Sequence, residues 1–251
     1  LHTMSSSKPK IKTYKSTKNF YEEYIDAELP KLKMIPQMVN NFKEKLDLRV
    51  QHLRDIYHLT ESKWSKDKII DENFVKIFSH CIITKDLIDD MATILYDNKI
   101  FVILDPCCGN GFHMYLFRMY TRFCVVGIDI NPEPCAWVDI LAGVTIGKPH
   151  EPAFNCLEVL PQVCEMYEKK KGCTPKYMCL FLSSIDKDDL ALELVNMFEG
   201  NIVVSIGNPR DIFIDTYKTL DEHFEIIKEY KIKEPWNTVD NIEIFRRINL
   251  K

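Results

Sequence analysis

The sequence predicts an α/β fold in which a mostly parallel seven-stranded sheet ends in an antiparallel strand pair, preceded by a helical N-terminal extension. Three observations lead to this prediction. Between about residues 84 and 206, short apolar runs typical of buried parallel strands alternate with segments of helical spacing. Segments 224–232 and 241–248 then alternate like strands with no helix between them, which indicates an antiparallel pair. The third observation is the strand–turn–helix pattern of 101–120, whose turn contains two glycines.

The individual elements follow from the same patterns. Apolar runs predict five strands before the closing pair, over 101–105, 123–128, 144–146, 177–182 and 201–206. Helical spacing predicts helices over 84–95, 113–120 and 188–198, one that begins at Asn131-Pro132-Glu133, and one near 163–170. Thr84 is the expected N-cap of the first of these helices. A loop is expected from the prolines Pro149, Pro152 and Pro161.

Composition and charge limit the classes of function. The chain has 251 residues, 46% of them hydrophobic and 28% charged, which is typical of a soluble globular protein with one large domain and an extension. A net charge of -4 gives no attraction to nucleic acid over the whole surface, so nucleic acid is a disfavoured partner. No apolar run approaches the length of a membrane span, about 18 residues, and no apolar signal core follows the lysine-rich N-terminus. We therefore expect no membrane association and an intracellular location, cytoplasmic or nuclear.

The nine cysteines indicate reduced thiols rather than a metal site. No pair has C-x-x-C spacing and no histidine cluster accompanies them, so no metal is expected. A nucleophilic role for Cys107 or Cys108 would need a neighbouring base or cation, and the sequence identifies none. We expect these cysteines to pack as small residues.

The N-terminal third divides into a tail and an extension. Residues 1–18 form a lysine-rich tail that is expected to be disordered, with the three residues before Met4 as a tag remnant. Residues 19–83 form the helical extension, and 84–251 form the main domain. Within the extension, 37–58 has the spacing of an amphipathic helix, with apolar residues at Val39, Phe42, Leu46, Val50, Leu53, Ile56 and Tyr57. We expect the main domain to cover this stripe, although a protein partner or a role as a substrate lid is an alternative.

The residues with the clearest chemistry lie in the turn after the central strand. Asp105 ends that strand, the sequence Pro-Cys-Cys-Gly-Asn-Gly follows, and Asp129 ends the next strand 24 residues later. A glycine turn between strand and helix, with an acid at the end of the next strand, is typical of nucleotide-cofactor binding. The dinucleotide fingerprint G-x-G-x-x-G is not met, because residue 107 is cysteine and no glycine lies three residues after Gly111. Asp105 would also repel a pyrophosphate.

These departures make Asp105 to Gly111 resemble motif I of the class I S-adenosylmethionine (SAM) dependent methyltransferases. The resemblance spans about 84–251, including the closing antiparallel pair, and implies a Rossmann-like methyltransferase fold with SAM as cofactor. SAM has a cationic ammonium and sulfonium and no phosphate, so an acid at the strand end is favourable. By the resemblance, Asp129 accepts hydrogen bonds from the ribose hydroxyls. The implied cofactor-binding residues are Asp105, Pro106, Cys107, Gly109, Gly111, Asp129, Ile130 and Ser183.

The segment after the fourth strand is the family's usual determinant of the methyl acceptor. Members that methylate amino groups of adenine or glutamine have an Asn/Asp-Pro-Pro-Tyr-like segment there, whereas this chain has Leu182-Ser-Ser-Ile-Asp186. The absence of the prolines argues against methylation of adenine N6. The implied catalytic residues are Ser183, Ser184 and Asp186. His113 and Asn208 are further candidates near the mouth of the site. The competing interpretation of His113 is a residue on a helix face, and that of Asn208 is a residue in a turn.

Three functions remain open from the sequence. The first is a SAM-dependent methyltransferase with an undetermined acceptor, which could be a small molecule, a protein, or an RNA end contacted by the lysines of 8–18 and 169–171. The second is a catalytically silent module of the same fold that binds SAM or a partner protein. The third is a dinucleotide-dependent oxidoreductase, which Asp105 and the missing third glycine disfavour.

Overall fold

The computed structural model describes residues 29–57, 77–79, 83–129, 136–137, 141–142, 155–185, 187–232 and 241–248. Several predictions lie outside these residues, namely the N-terminal tail, the helix at 131, the strand at 144–146, and the site residues Ile130 and Asp186. In the part of the chain that the structure describes, no helix combines the length and apolar character needed to cross a membrane.

A mixed sheet forms the centre of the protein. Its strands are β1 (Val102–Asp105), β2 (Cys124–Asp129), β3 (Leu141–Ala142), β4 (Met178–Ser183), β5 (Ile202–Ile206), β6 (Phe224–Lys231) and β7 (Asn241–Arg247). The order across the sheet is β3-β2-β1-β4-β5-β7-β6. Neighbouring strands among β1 to β5 are parallel, whereas β7 is antiparallel to both β5 and β6. The predicted mostly parallel sheet with an antiparallel closing pair is therefore confirmed.

The predicted count of seven strands needs a qualification. Six strands have four to eight residues, whereas β3 has two and pairs with β2 only through Ile128 and Asp129. The structure therefore supports a sheet of six full strands that a short pairing extends at one edge. That pairing involves 141–142, so it begins before the segment that the sequence predicted.

Helices cover both faces of the sheet. They are α1 (Pro36–Tyr57), α2 (Lys85–Asp97), α3 (Phe112–Tyr120), α4 (Asn155–Lys171), α5 (Asp188–Met197) and α6 (Ile214–His223). Alternate residues of a strand point to opposite faces. Ile103 accordingly packs with the buried residues of α1 to α3, and Leu104 packs with those of α4 to α6. Thr84 is the N-cap of α2, as predicted, because its hydroxyl accepts a hydrogen bond from Leu87 N at 3.3 Å.

Helix α1 of the extension packs onto the main domain. Phe42, Leu46 and Val50 are each at most 4% exposed and belong to the same apolar core as α2 and α3. The expectation that the main domain covers the apolar stripe is therefore confirmed for these residues. Since burying a Val, Leu or Phe side chain is worth roughly 1.5–3 kcal/mol, α1 contributes to the stability of the whole unit.

Two helices differ from the sequence prediction. Pro161 lies inside α4 and is exposed, whereas the sequence placed it in a loop. Its neighbours Leu160 and Val163 are 2% and 5% exposed in the core below α4. This burial offsets the hydrogen bond that a proline removes from a helix. Helix α6 was not predicted, because its mixed sequence has few apolar residues besides the buried Tyr217 and Leu220.

Candidate cofactor site

The turn between β1 and α3 requires glycine at two positions. Gly109 and Gly111 have φ angles of 56° and 77°, in the left-handed region that favours glycine. The turn is closed by a hydrogen bond from Gly111 N to Cys108 O at 2.9 Å, and Cys108 N donates to Ile128 O at 3.0 Å. The turn is thus fixed both to itself and to the end of β2.

Asp129 lies beside this turn, as the sequence predicted. Gly109 N donates a hydrogen bond to Asp129 Oδ2 at 2.9 Å. Asp129 is half-buried, and a Cβ atom added at Gly109 would meet nothing within 4 Å. The second acid and the glycine turn therefore form one site with open space above it.

Asp105 lies at the buried end of the site. Its side chain is 1% exposed at the end of β1. Burial raises the pKa of Asp105 from its ordinary value of 3.8 to about 7, and the negative charge of Asp129 adds to the rise. Hydrogen bonds from the Ser183 hydroxyl and from Cys107 N oppose it, the latter at 3.4 Å. The Asp105 carboxyl therefore ionises near neutral pH.

Both cysteines of the turn are half-buried, and Cys108 packs tightly against β2. Burial strongly raises the pKa of the Cys108 thiol, and the charges of Asp105 and Asp129 raise it further, so the thiol stays protonated. A Cβ atom added at Gly127 would lie 2.7 Å from Cys108 Sγ. Glycine at 127 therefore allows β2 to approach the turn, and Cys108 acts by packing rather than as a nucleophile.

Ser183 lies at the end of β4, the parallel neighbour of β1, and it contacts a buried histidine. Its hydroxyl lowers the pKa of the Asp105 carboxyl against the effect of burial. His113 of α3 is 5% exposed, and its Nδ1 lies 3.4 Å from Ser183 Oγ. Its Nε2 lies 2.9 Å from Ser79 Oγ. His113, which the sequence placed near the mouth of the site, thus belongs to a polar chain beneath it.

Asn208 is a structural residue that joins β4 and β5. Its Nδ2 donates to Leu182 O at 2.7 Å and to Ser205 Oγ at 2.9 Å. Its Oδ1 accepts from Ile185 N at 3.0 Å, and the residue is 2% exposed. The side chain therefore shapes the segment after β4. Of the two interpretations of Asn208, a polar group at the mouth and a turn residue, the structure favours the second, because its amide is already used within the protein.

Ser184 is the residue after Ser183 and has a φ angle of 48°. Its backbone N donates to Ile206 O at 2.8 Å, and its hydroxyl points to the same oxygen at 3.5 Å. The left-handed conformation turns the chain away from β4 and leaves Ser183 at the strand end. Ser184 thus belongs to the same connection between β4 and β5 as Asn208, whereas Ser183 lies on the side of Asp105.

The sequence did not identify Trp137, the residue that joins the glycine turn to the extension. Its backbone N donates to Asn110 O at 2.8 Å, and its indole Nε1 donates to Ile77 O at 2.8 Å. Lys45 of α1 donates to Trp137 O at 3.0 Å, and Arg49 of α1 donates through Nε to Ile77 O at 2.7 Å. Trp137 is thus placed between the turn and α1.

An aromatic cluster surrounds this tryptophan. The ring of Trp137 lies 5.0 to 5.9 Å from four other rings, a spacing typical of favourable aromatic pairs. The aromatic cluster consists of Phe42, Phe78, Phe112, Tyr115 and Trp137. Its members come from α1, from α3 and from the segments at 77–79 and 136–137, so no local sequence pattern indicates the cluster.

Most of the predicted site residues that the structure describes therefore lie close together. Asp105, Pro106, Cys107, Gly109, Gly111, Asp129 and Ser183 lie at the ends of β1, β2 and β4 or in the turn between them. Among the described residues, no group of three or more His, Cys, Asp or Glu side chains is placed to bind a metal ion. A surface depression of about 620 Å³ lies between α2, α3 and the turn at Thr121–Arg122, and none of the predicted site residues lines it.

No protein-family model matches the sequence, and no curated protein matches it. A crystal structure of protein 1320 from Thermoplasma acidophilum is similar to this chain with a TM-score of 0.33 and 11% sequence identity, over 65% of this chain and 86% of that one. A similarity of this size adds no argument about fold family or function.

Proposed function

We propose that this protein is a SAM-dependent methyltransferase with a Rossmann-like methyltransferase fold. The observation that supports it most is the hydrogen bond from Gly109 N to Asp129 Oδ2, which unites the glycine turn and the second acid in one site. The antiparallel β6–β7 pair supports it as well, because that pair marks the sheet of the family that the sequence resembles.

The charges at the site suit this cofactor better than a dinucleotide. Asp105 and Asp129 both lie next to the turn, where they would repel a pyrophosphate and attract an ammonium or sulfonium group. A bound cation lowers the pKa of a neighbouring carboxyl, so we expect Asp105 to ionise in the complex. By the family resemblance, the Asp129 carboxylate would accept hydrogen bonds from the ribose hydroxyls. Bound SAM would supply the methyl group to be transferred.

Ser183 is the described residue best placed to contact the methyl acceptor. It is half-buried at the end of β4, whereas Asp105 beneath it is 1% exposed. The acceptor itself, whether a small molecule, a protein or an RNA end, stays undetermined. The use of the Asn208 amide within the protein favours a second candidate, a silent module that binds SAM or a partner protein without methyl transfer.

Calorimetry with SAM and S-adenosylhomocysteine tests the cofactor. We expect binding in the micromolar range, and Asp129→Ala should weaken it about 100-fold, because two hydrogen bonds to a charged group are lost at about 1.5 kcal/mol each. Asp97→Ala, an exposed acid at the end of α2, is the matched control and should bind like the unmutated protein. No binding by the unmutated protein would disprove the proposal.

Transfer of a labelled methyl group from SAM into cell extract distinguishes the enzyme from the silent module. The extract is fractionated into RNA, protein and small molecules after incubation. Label in any fraction supports the methyltransferase and identifies the class of acceptor. Tight SAM binding without label in any fraction supports the silent module.

A further inference from the structure

The segment at 77–79 contacts the candidate cofactor site at two places. Ile77 O accepts a hydrogen bond from the indole Nε1 of Trp137 at 2.8 Å. Ser79 Oγ lies 2.9 Å from Nε2 of His113, which is 5% exposed at the start of α3. The segment therefore joins the tryptophan beside the glycine turn to the helix that follows that turn.

Helix α1 of the extension holds both this segment and the tryptophan. Arg49 is 1% exposed, and its Nε donates to Ile77 O at 2.7 Å. Lys45 Nζ donates to Trp137 O at 3.0 Å, and the ring of Phe42 lies 5.2 Å from the indole ring. The position of Trp137 thus depends on the docking of α1.

Trp137 in turn holds the glycine turn. Its backbone N donates to Asn110 O at 2.8 Å, and Asn110 Oδ1 accepts from Phe112 N at 3.1 Å. The indole ring also lies 5.0 Å from the ring of Phe112. Because Gly109 and Gly111 have little conformational preference of their own, contacts from outside help to fix the shape of the turn. Strand β2 supplies such contacts on one side, and Trp137 supplies them on the other.

We propose, resting on the methyltransferase function proposed above, that Trp137 is a positioning residue through which α1 and SAM bind cooperatively. While α1 is docked, Trp137 holds Asn110 and the glycine turn in the conformation that accepts SAM. When α1 leaves the domain, Trp137 loses its contacts with Lys45 and Phe42, and the turn loses this support. Because coupling between two sites is reciprocal, bound SAM also holds α1 on the domain.

Hydrogen exchange followed by mass spectrometry tests the link between α1 and the turn without SAM. Phe42→Ala removes a buried ring of α1 and should raise the exchange rate of the turn peptide 106–112 by at least about fivefold more than Phe224→Ala does. Phe224 is the matched control, because it is equally buried but lies in the core on the other face of the sheet. The corresponding leucine variants replace both if the alanine variants do not fold. Equal rates at the turn in the two variants overturn the proposal.

The reciprocal effect is measured on α1 itself. Saturating SAM should slow the exchange of α1 amides by about 5- to 150-fold, the usual range of coupling between two sites, and should slow those of α6, which packs in the other core, far less. Trp137→Leu, which removes the ring and the indole N–H, should reduce the slowing of α1 to that of α6. Trp137→Phe, which keeps a ring among the other four, should retain most of it.

The two ways in which the proposal could fail give different results. Equal slowing of α1 and α6 in a protein that binds SAM overturns the cooperative binding alone. Absence of SAM binding by the unmutated protein overturns the proposed function and the cooperative binding together.

Discussion

The glycine turn between β1 and α3 contacts the aromatic cluster through Asn110 and Trp137, yet the two regions are built from different kinds of interaction. The turn has two glycines in the left-handed conformation, and the Asp105 carboxyl beside it is 1% exposed, which lowers the stability of the fold because burying a polar group costs free energy. The aromatic cluster packs five rings from distant segments, four of them buried, which raises stability. We therefore expect the aromatic cluster to contribute more to the stability of the fold than the turn does.

The largest expected effect comes from removing the centre of the aromatic cluster. Trp137→Ala should lower the free energy of unfolding by about 3–5 kcal/mol, because it leaves a cavity among four rings and removes the indole bond to Ile77 O. Urea denaturation followed by circular dichroism measures this. Phe101→Ala, at a phenylalanine that is 56% exposed, is the matched control and should cost less than about 1 kcal/mol. Equal losses in both variants would show that the cluster is not the stabilising region.

A substitution of Asp105, the buried acid beside the turn, should raise the free energy of unfolding rather than lower it. The pKa of Asp105 is raised from 3.8 to about 7 in the folded protein, so the native state binds the proton more tightly than the unfolded state. The stability from this group is fully present below about pH 4 and is lost as the pH rises through about 7. Asp105→Asn removes the loss, so its free energy of unfolding relative to the unmutated protein should increase over that window by about 2–4 kcal/mol.

Urea denaturation of the two proteins between pH 4 and pH 9 gives this difference directly. Taking the difference removes the contributions of other titrating groups, which both proteins share. Asp97→Asn, an exposed acid on α2, should show a flat difference over the same range. A flat difference for Asp105→Asn too would mean that the buried carboxyl does not lower stability, and the contrast between turn and cluster would fail.

The same contrast explains which parts could be predicted from the sequence. The turn depends on backbone conformation and on short chain distances, so Gly109 and Asp129 could be identified from a short sequence pattern and its resemblance to a family motif. The aromatic cluster depends on side chains as distant as Phe42 and Trp137, which no local pattern connects. The role of Asn208 stayed open for the same reason, because two of its amide partners, Leu182 and Ile185, are distant in sequence. Pro161 was misassigned because tertiary burial of its neighbours outweighs its local preference.

A smaller effect is expected where β2 meets the turn. Gly127→Ala places a methyl group 2.7 Å from Cys108 Sγ and 3.3 Å from Cys108 Cβ, which should cost about 1–3 kcal/mol through overpacking. The double variant Gly127→Ala with Cys108→Ala removes the closer atom and should recover most of the loss. Thermal denaturation of the single and double variants measures the coupling. Additive losses would mean that Gly127 is needed for a reason other than its contact with Cys108.

The smallest effect is expected at the ion pair that joins Lys33 of the extension to Asp86 of α2. Lys33 Nζ lies 2.5 Å from Asp86 Oδ1, and the two side chains are 56% and 72% exposed. Pairs this exposed are worth about 0–1 kcal/mol, so Lys33→Gln should change the free energy of unfolding by less than about 0.5 kcal/mol. Lys33 is the better member to change, because Asp86 also lies in the first turn of α2, where an acid interacts favourably with the helix dipole. Urea denaturation at low and high salt measures the pair. A loss near that of Trp137→Ala would mean that charge, rather than the buried rings, attaches the extension to the domain.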